Sequence, residues 1–289
     1  MTKPSTLQDR AMLATLNISQ WTNRKHDKSI SEEVEKQHGA TDAGRYNKLL
    51  VHKSSLEPIN KIASACRIYH YKMTLPWGDN GDRLLPGALF TEYAKEIRGY
   101  KDQFHNAAAA FVVRFPSLVS EARTRLGSMY EASDYPDVSE MRARFAIETS
   151  FSSVASAGDF RVELNEEYVN SIKREITERT ENLQKDAVRH CWGRVRTVVS
   201  NIHERLADKD NKFKDSLIEN ARELIAILPA LNITGDSELI AIETDVKALL
   251  LPPDRLRSDN TLRSETAQKA ADILAKMTGR SMQVLELVS

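Results

Sequence analysis

From residue 169 to residue 206 the chain places an apolar or small side chain at every third or fourth position: Val169, Ile172, Ile176, Thr180, Leu183, Ala187, Cys191, Val195, Val198, Ile202 and Leu206. The mean spacing, about 3.7 residues over ten intervals, is that of one continuous α-helix. At 1.5 Å per residue such a helix is roughly 55–60 Å long. A helix of this length takes most of its stability from a neighbour along its apolar face. The run Phe90, Tyr93, Ile97, Tyr100, Phe104, Ala108 and Phe111 is the candidate neighbour within the chain. Gly193, inside the long helix, costs about 1 kcal/mol relative to alanine and points to a close helix crossing or a slight bend.

The rest of the chain divides by the same criteria. Rough alternation before Trp21 suits a short strand or extended arm. Ser29 followed by Glu32 reads as a capping box for a short helix that Gly39 closes. Ile59, Ile62, Cys66, Tyr69 and Met73 mark an amphipathic helix starting at Pro58, with Cys66 on its buried face. LPWGDNGDRLLP, with proline at both ends and an Asn-Gly turn, reads as an ordered loop pinned by Trp77, Leu84 and Leu85. The helix after Leu89 is interrupted near Pro116, resumes, and ends at Gly127. Residues 144–154 and 160–164 alternate around a small-residue turn and predict a β-hairpin. Three helices follow, over 213–228, 237–250 and 261–277, stopped by Pro229, by Pro252 with Pro253, and by Gly279. The final nine residues alternate weakly, as an edge strand or packed tail would. The expectation is a predominantly helical α+β protein with a long antiparallel helical core, a small β-hairpin, and one domain over 1–289 carrying a basic α/β subregion at 1–75.

Charge qualifies this picture. Lys+Arg and Asp+Glu both number 41, so no net field recruits nucleic acid or an anionic membrane. The first 75 residues nevertheless carry 12 basic and 7 acidic side chains. No apolar run approaches the roughly 18 residues of a membrane span, and no secretory signal is evident. Two cysteines, Cys66 and Cys191, do not make a disulfide framework, and a reducing cytoplasm is the expected location.

Catalytic and cofactor signatures are missing. No phosphate-cradling glycine pattern occurs. Cys66 and His70 stand at i,i+4 on one helix, but two ligands do not make a zinc site, and the bland reading is a buried thiol beside a partly exposed histidine. His190 and Cys191 are adjacent, hence about 100° apart on a helix, and cannot act as nucleophile and base. Asp79, Asn80, Gly81 and Asp82 suggest a calcium loop, yet the alternation and terminal glutamate are lacking, so a plain turn is expected. The sequence predicts a non-enzymatic protein without cofactor or metal. Lys185, Arg189 and Arg196 form a basic stripe on the long helix, which Glu178 and Glu181 turn into a salt-bridged solvated face. The remaining candidate surface is Trp21, Arg24, Lys25 and Lys28 with Arg45 and Lys48, where an aromatic among cations suits stacking and phosphate neutralisation on a single-stranded nucleic acid.

The segments ISQWTNRKHDKSISEEV, DAGRYNKLL, TLPWGDNGDRLLP, DYPDV and GDFRVEL, in this order, carry a resemblance. Together they are similar to an uncharacterised phage and prophage family, a domain of unknown function whose members tend to be encoded near MoxR-type AAA+ ATPases. The resemblance spans most of 13–231 and brings no assigned catalytic residue with it. It implies a phage origin and an AAA+ ATPase as a candidate neighbour, without a reaction. With the long amphipathic helix and the missing catalytic signatures, the expectation is a phage-type interaction or assembly protein acting with protein partners, a second copy of the chain being another candidate. Binding of single-stranded nucleic acid in phage replication or recombination is the alternative.

Overall fold

The computed structural model describes residues 6–162 and 165–286, the last eight of these by backbone alone. In chain order the regular elements are α1 (Leu7–Arg10), β1 (Ala11–Ser19), β2 (Arg24–His26), α2 (Lys28–His38), β3 (Asn47–Leu49), α3 (Glu57–Met73), β4 (Leu75–Pro76), β5 (Arg83–Pro86), α4 (Phe90–Leu126), α5 (Val138–Met141), β6 (Ala146–Ser153), α6 (Glu166–Ala207), α7 (Ser216–Leu231), α8 (Ser237–Lys247), α9 (Pro253–Ser258) and α10 (Asn260–Glu286). This is a predominantly helical α+β fold with one four-stranded sheet, ordered β4-β5-β1-β6, and a two-stranded ribbon of β2 and β3. Two compact units interleave along the sequence: 6–15, 71–92 and 150–286 form the first, 16–70 and 93–149 the second.

In the first unit, LPWGDNGDRLLP is a β-hairpin rather than a loop: Leu75 pairs with Leu84 and Pro76 with Arg83, and β5 then pairs with the start of β1. Gly78 and Gly81, at φ +67° and +84°, supply the left-handed backbone used in the six-residue connection 77–82. The long helix is present as α6, 42 residues, capped by the Asn165 side chain accepting from the N–H groups of Glu167 and Tyr168. Its neighbours in this unit are α10 and α7. The expected partner, α4, contributes residues 93–126 to the other unit. Antiparallel packing of α10 is fixed at its start, where Arg263 donates to the carbonyls of Arg205 and Leu206 in the last turn of α6 and of Asp208 and Asn211 just after it. One turn on, His203 Nδ1 lies 3.0 Å from the Ala267 carbonyl. The buried face of α6 is Ala187, Cys191, Val195, Val199, Ile202 and Leu206, so Val199 takes the core position that spacing had assigned to Val198. A Cβ on Gly193 would meet nothing within 4 Å, so among the described residues no close crossing accounts for that glycine.

The second unit is built on aromatic packing. Trp21 is 8% exposed and packs edge-on to Phe115 at 5.5 Å and tilted to Phe111 at 6.0 Å, while Phe145 meets Phe104 and Phe111. Asn23 adopts a positive φ of 56° because its side chain bonds Val51 twice, Nδ2 to the carbonyl at 2.8 Å and Oδ1 from the N–H at 2.7 Å.

Proline did not interrupt helices as expected. α4 runs 37 residues through Pro116, and α7 continues through Pro229. Both prolines lie on exposed faces, and core anchors on either side, such as Phe115 and Leu118, hold the helix across the lost hydrogen bond. The N-cap of α2 is Asp27 instead of Ser29, although Gly39 closes the helix in the left-handed region as expected. Only the first arm of the expected 144–164 hairpin is a strand. β6 joins the sheet beside β1, residues 157–159 form a 3-10 turn, and 163–164 lie outside the described residues. The C-terminal segment through Glu286 is helical rather than an edge strand, and Gly279 does not end α10.

Candidate functional site

The predicted basic cluster divides into buried and exposed members. Trp21 is unavailable for stacking because it fills the aromatic core of the second unit. Lys48, opposite Lys25 on the β2-β3 ribbon, turns inward and is 6% exposed. Its Nζ lies 3.1 Å from Asp27 Oδ2, 2.9 Å from Asp134 Oδ2 and 2.7 Å from the Met129 carbonyl. Burial pulls the Lys48 pKa down, but the two carboxylates more than offset it, and the ammonium is held above its ordinary value. Asp27 is correspondingly held down at about 2, by Ser29, the Ile30 N–H and then Lys48. Lys48 is therefore a neutralised clamp, and Trp21 and Lys48 drop out of the nucleic-acid surface. Arg24, Lys25, Lys28 and Arg45 are exposed; Lys25 reaches Asp134 at 3.6 Å and Lys28 reaches Glu32 at 3.5 Å. The aromatic that does lie open among them is Tyr46, 42% exposed.

The residues weighed for chemistry are placed as structural groups. Cys66 is buried and its thiol is pushed up to about 11 by burial, as is that of Cys191, so neither forms a thiolate near neutrality. His70 is buried too, 3% exposed, with Nδ1 2.8 Å from the Tyr93 hydroxyl. Asp82 accepts from the Thr15 hydroxyl, within the turn of the β4-β5 hairpin and its neighbour β1. Among the described residues no group of three or more His, Cys, Asp or Glu side chains is placed to hold a metal ion. No described helix is long and apolar enough to cross a membrane. On α6, Arg189 pairs with Asp186 at 2.6 Å, and Lys185 and Arg189 border a cavity of about 370 Å³ beside Trp192, whose indole N–H donates to Asp236 at 3.1 Å.

Two features escaped local motifs. The first is a pair of arginines from distant segments of the first unit. Arg194 donates to the carbonyls of Tyr71, Lys72 and Thr74, where α3 ends. Arg83 bonds Thr74 through both the hydroxyl, at 2.7 Å, and the carbonyl, at 3.3 Å, with its guanidinium 4.7 Å over the Tyr71 ring. His190 stands one helical turn before Arg194. The second is the unequal burial of α6. No residue of 166–186 is buried, and Val169, Ile172, Ile176, Thr180 and Leu183 are half-buried, although they continue the stripe that is fully buried from Ala187 onward.

No protein-family model matches the chain, and neither does any curated protein or solved structure.

Proposed function

We propose that this is a non-catalytic interaction protein of the phage type that its sequence resembles, and that the first half of α6 receives an amphipathic helix of a protein partner. The observation that carries the reading is the incomplete burial of Val169, Ile172, Ile176 and Leu183, in register with a stripe that is a core seam farther along the same helix. Charge selects the occupant. Lys173, Arg174 and Arg179 flank the stripe together with Glu175, Glu178 and Glu181, so the face is neutral overall and complements a helix of mixed charge rather than a polyanion. An AAA+ ATPase with such a helix is the partner that the resemblance suggests.

The test is reconstitution. A partner recovered stoichiometrically with the full chain from its native cell is purified and recombined, with binding followed by calorimetry. Ile172→Asp with Ile176→Asp should abolish binding, while Val113→Asp, at a residue 82% exposed on α4, should not. Equal binding by both variants overturns the proposal. So does a homodimer on light scattering that the Ile172 and Ile176 changes dissociate, because the occupant would then be a second copy.

Single-strand binding is the second reading, supported by exposed Arg24, Lys25, Lys28 and Arg45 around Tyr46 and weakened by the burial of Trp21 and Lys48. It predicts oligonucleotide binding at low salt that falls steeply as salt rises and that Arg24→Ala with Lys25→Ala removes. Flat fluorescence anisotropy at low salt eliminates it.

A further inference from the structure

We propose that Arg83, Arg194 and His190 form a binding site for a small oxyanion, a phosphate group on a free ion or a mononucleotide. The inference is independent of the partner-helix reading.

The starting point is one carbonyl oxygen. Arg83 Nη2 and Arg194 Nη2 both donate to Thr74 O, at 3.3 and 2.6 Å, which places the two guanidinium groups at most about 6 Å apart. Two positive charges at that separation repel, and the repulsion grows as water is withdrawn. Burial, and then each other's charge, depress Arg194 to about 10, and burial likewise lowers Arg83. His190, four residues before Arg194 and so on the same face of α6, joins them: desolvation first, then Arg194 and Arg83, bring its imidazole down to about 4. Among the described residues neither guanidinium has a carboxylate within ion-pair distance, which separates this cluster from Lys48.

Helix capping accounts for Arg194 but not for its companion. Arg263 takes four carbonyls at and just after the end of α6, and among the described residues no second cation donates to those oxygens, although Arg257 shares the Phe213 ring with it. At the end of α3, Arg194 already takes three carbonyls, yet Arg83 is brought to the same oxygen from β5. Arg83 retains the donors of Nη1, neither of which bonds a described partner, and its aromatic neighbour Tyr71 is 52% exposed, so the site opens toward solvent. A fork of N–H groups beside a second cation is the arrangement that holds a phosphate oxygen pair. His190, neutral without the anion, would take up a proton as a dianion arrives and add a third charge-assisted contact.

The experiment is calorimetric titration of the full-length protein with inorganic phosphate and, separately, with adenosine monophosphate at neutral pH and low ionic strength. Saturable binding is expected, weakened at least about tenfold by Arg83→Gln. Far-UV circular dichroism checks that this variant is folded. Inorganic phosphate displacing the nucleotide identifies the phosphate group as what is recognised; nucleotide binding that phosphate cannot displace overturns the site. His190, followed by its imidazole carbon resonance, should titrate at higher pH in saturating phosphate than without it. No saturable binding of either anion, or equal affinity in Arg83→Gln, also overturns the proposal.

Discussion

Each unit of this protein withdraws cations from water, and the two do so in opposite ways. In the second unit, Lys48 is enclosed by Asp27, Asp134 and the Met129 carbonyl, so its charge is cancelled within the chain. In the first, Arg194 and Arg83 are solvated by carbonyls, a hydroxyl and a ring face, none of which cancels a full charge. A neutralised cation is a structural tie with nothing left to offer a ligand. A solvated but uncancelled pair retains its charge for an incoming anion.

The largest effect expected from breaking this contrast is at Lys48. Lys48→Met strands two carboxylates and should cost about 3 kcal/mol or more in urea unfolding, with much of the loss restored when Asp27→Asn and Asp134→Asn are added. A loss below about 1 kcal/mol would mean that the clamp is not closed. Arg194→Met should cost about 2 kcal/mol because three carbonyls lose a donor. Arg83→Met should be milder, within about 1 kcal/mol, since lost hydrogen bonds are offset by relief of the repulsion on Arg194. If Arg83→Met proves as damaging as Arg194→Met, Arg83 is a cap and not a spare cation.

The smallest effects are in pH. The His190 pKa is lowered in the folded protein, so its contribution is complete above the ordinary 6.5 and is lost as pH falls through about 4. For Asp27, also lowered, the contribution is complete above 3.8 and is lost as pH falls through about 2. The two units thus respond in successive windows. His190→Gln should flatten the change of urea midpoint between pH 6.5 and 4, and Asp27→Asn the change below 3.8. Phosphate should protect the wild type more than Arg83→Gln, and equal protection of the two would point to a general salt effect.

Periodicity was sufficient for the helices. Residues 169–206 repeat at helical spacing whatever they pack against, and α6 follows, as do α3, α4 and the helical character of the last third. Short strands were less legible: β4 has two residues, and its pairing with β5 depends on a turn whose glycines were visible while the register was not. Prolines misled because a helix tolerates one on its exposed face when the core holds both sides, and exposure is a tertiary property.

The candidate sites show the same boundary. Composition and spacing by themselves determined a helical protein with a basic first quarter, buried thiols, and no local catalytic motif. Tertiary structure alone decided that Trp21 is core and Lys48 a clamp, that α6 is a seam for half its length, and that Arg83 meets Arg194 across 111 residues of chain. The reason is physical. Helical spacing is set by local backbone geometry, whereas desolvation and the pairing of charges depend on which distant residues the fold brings within a few ångströms.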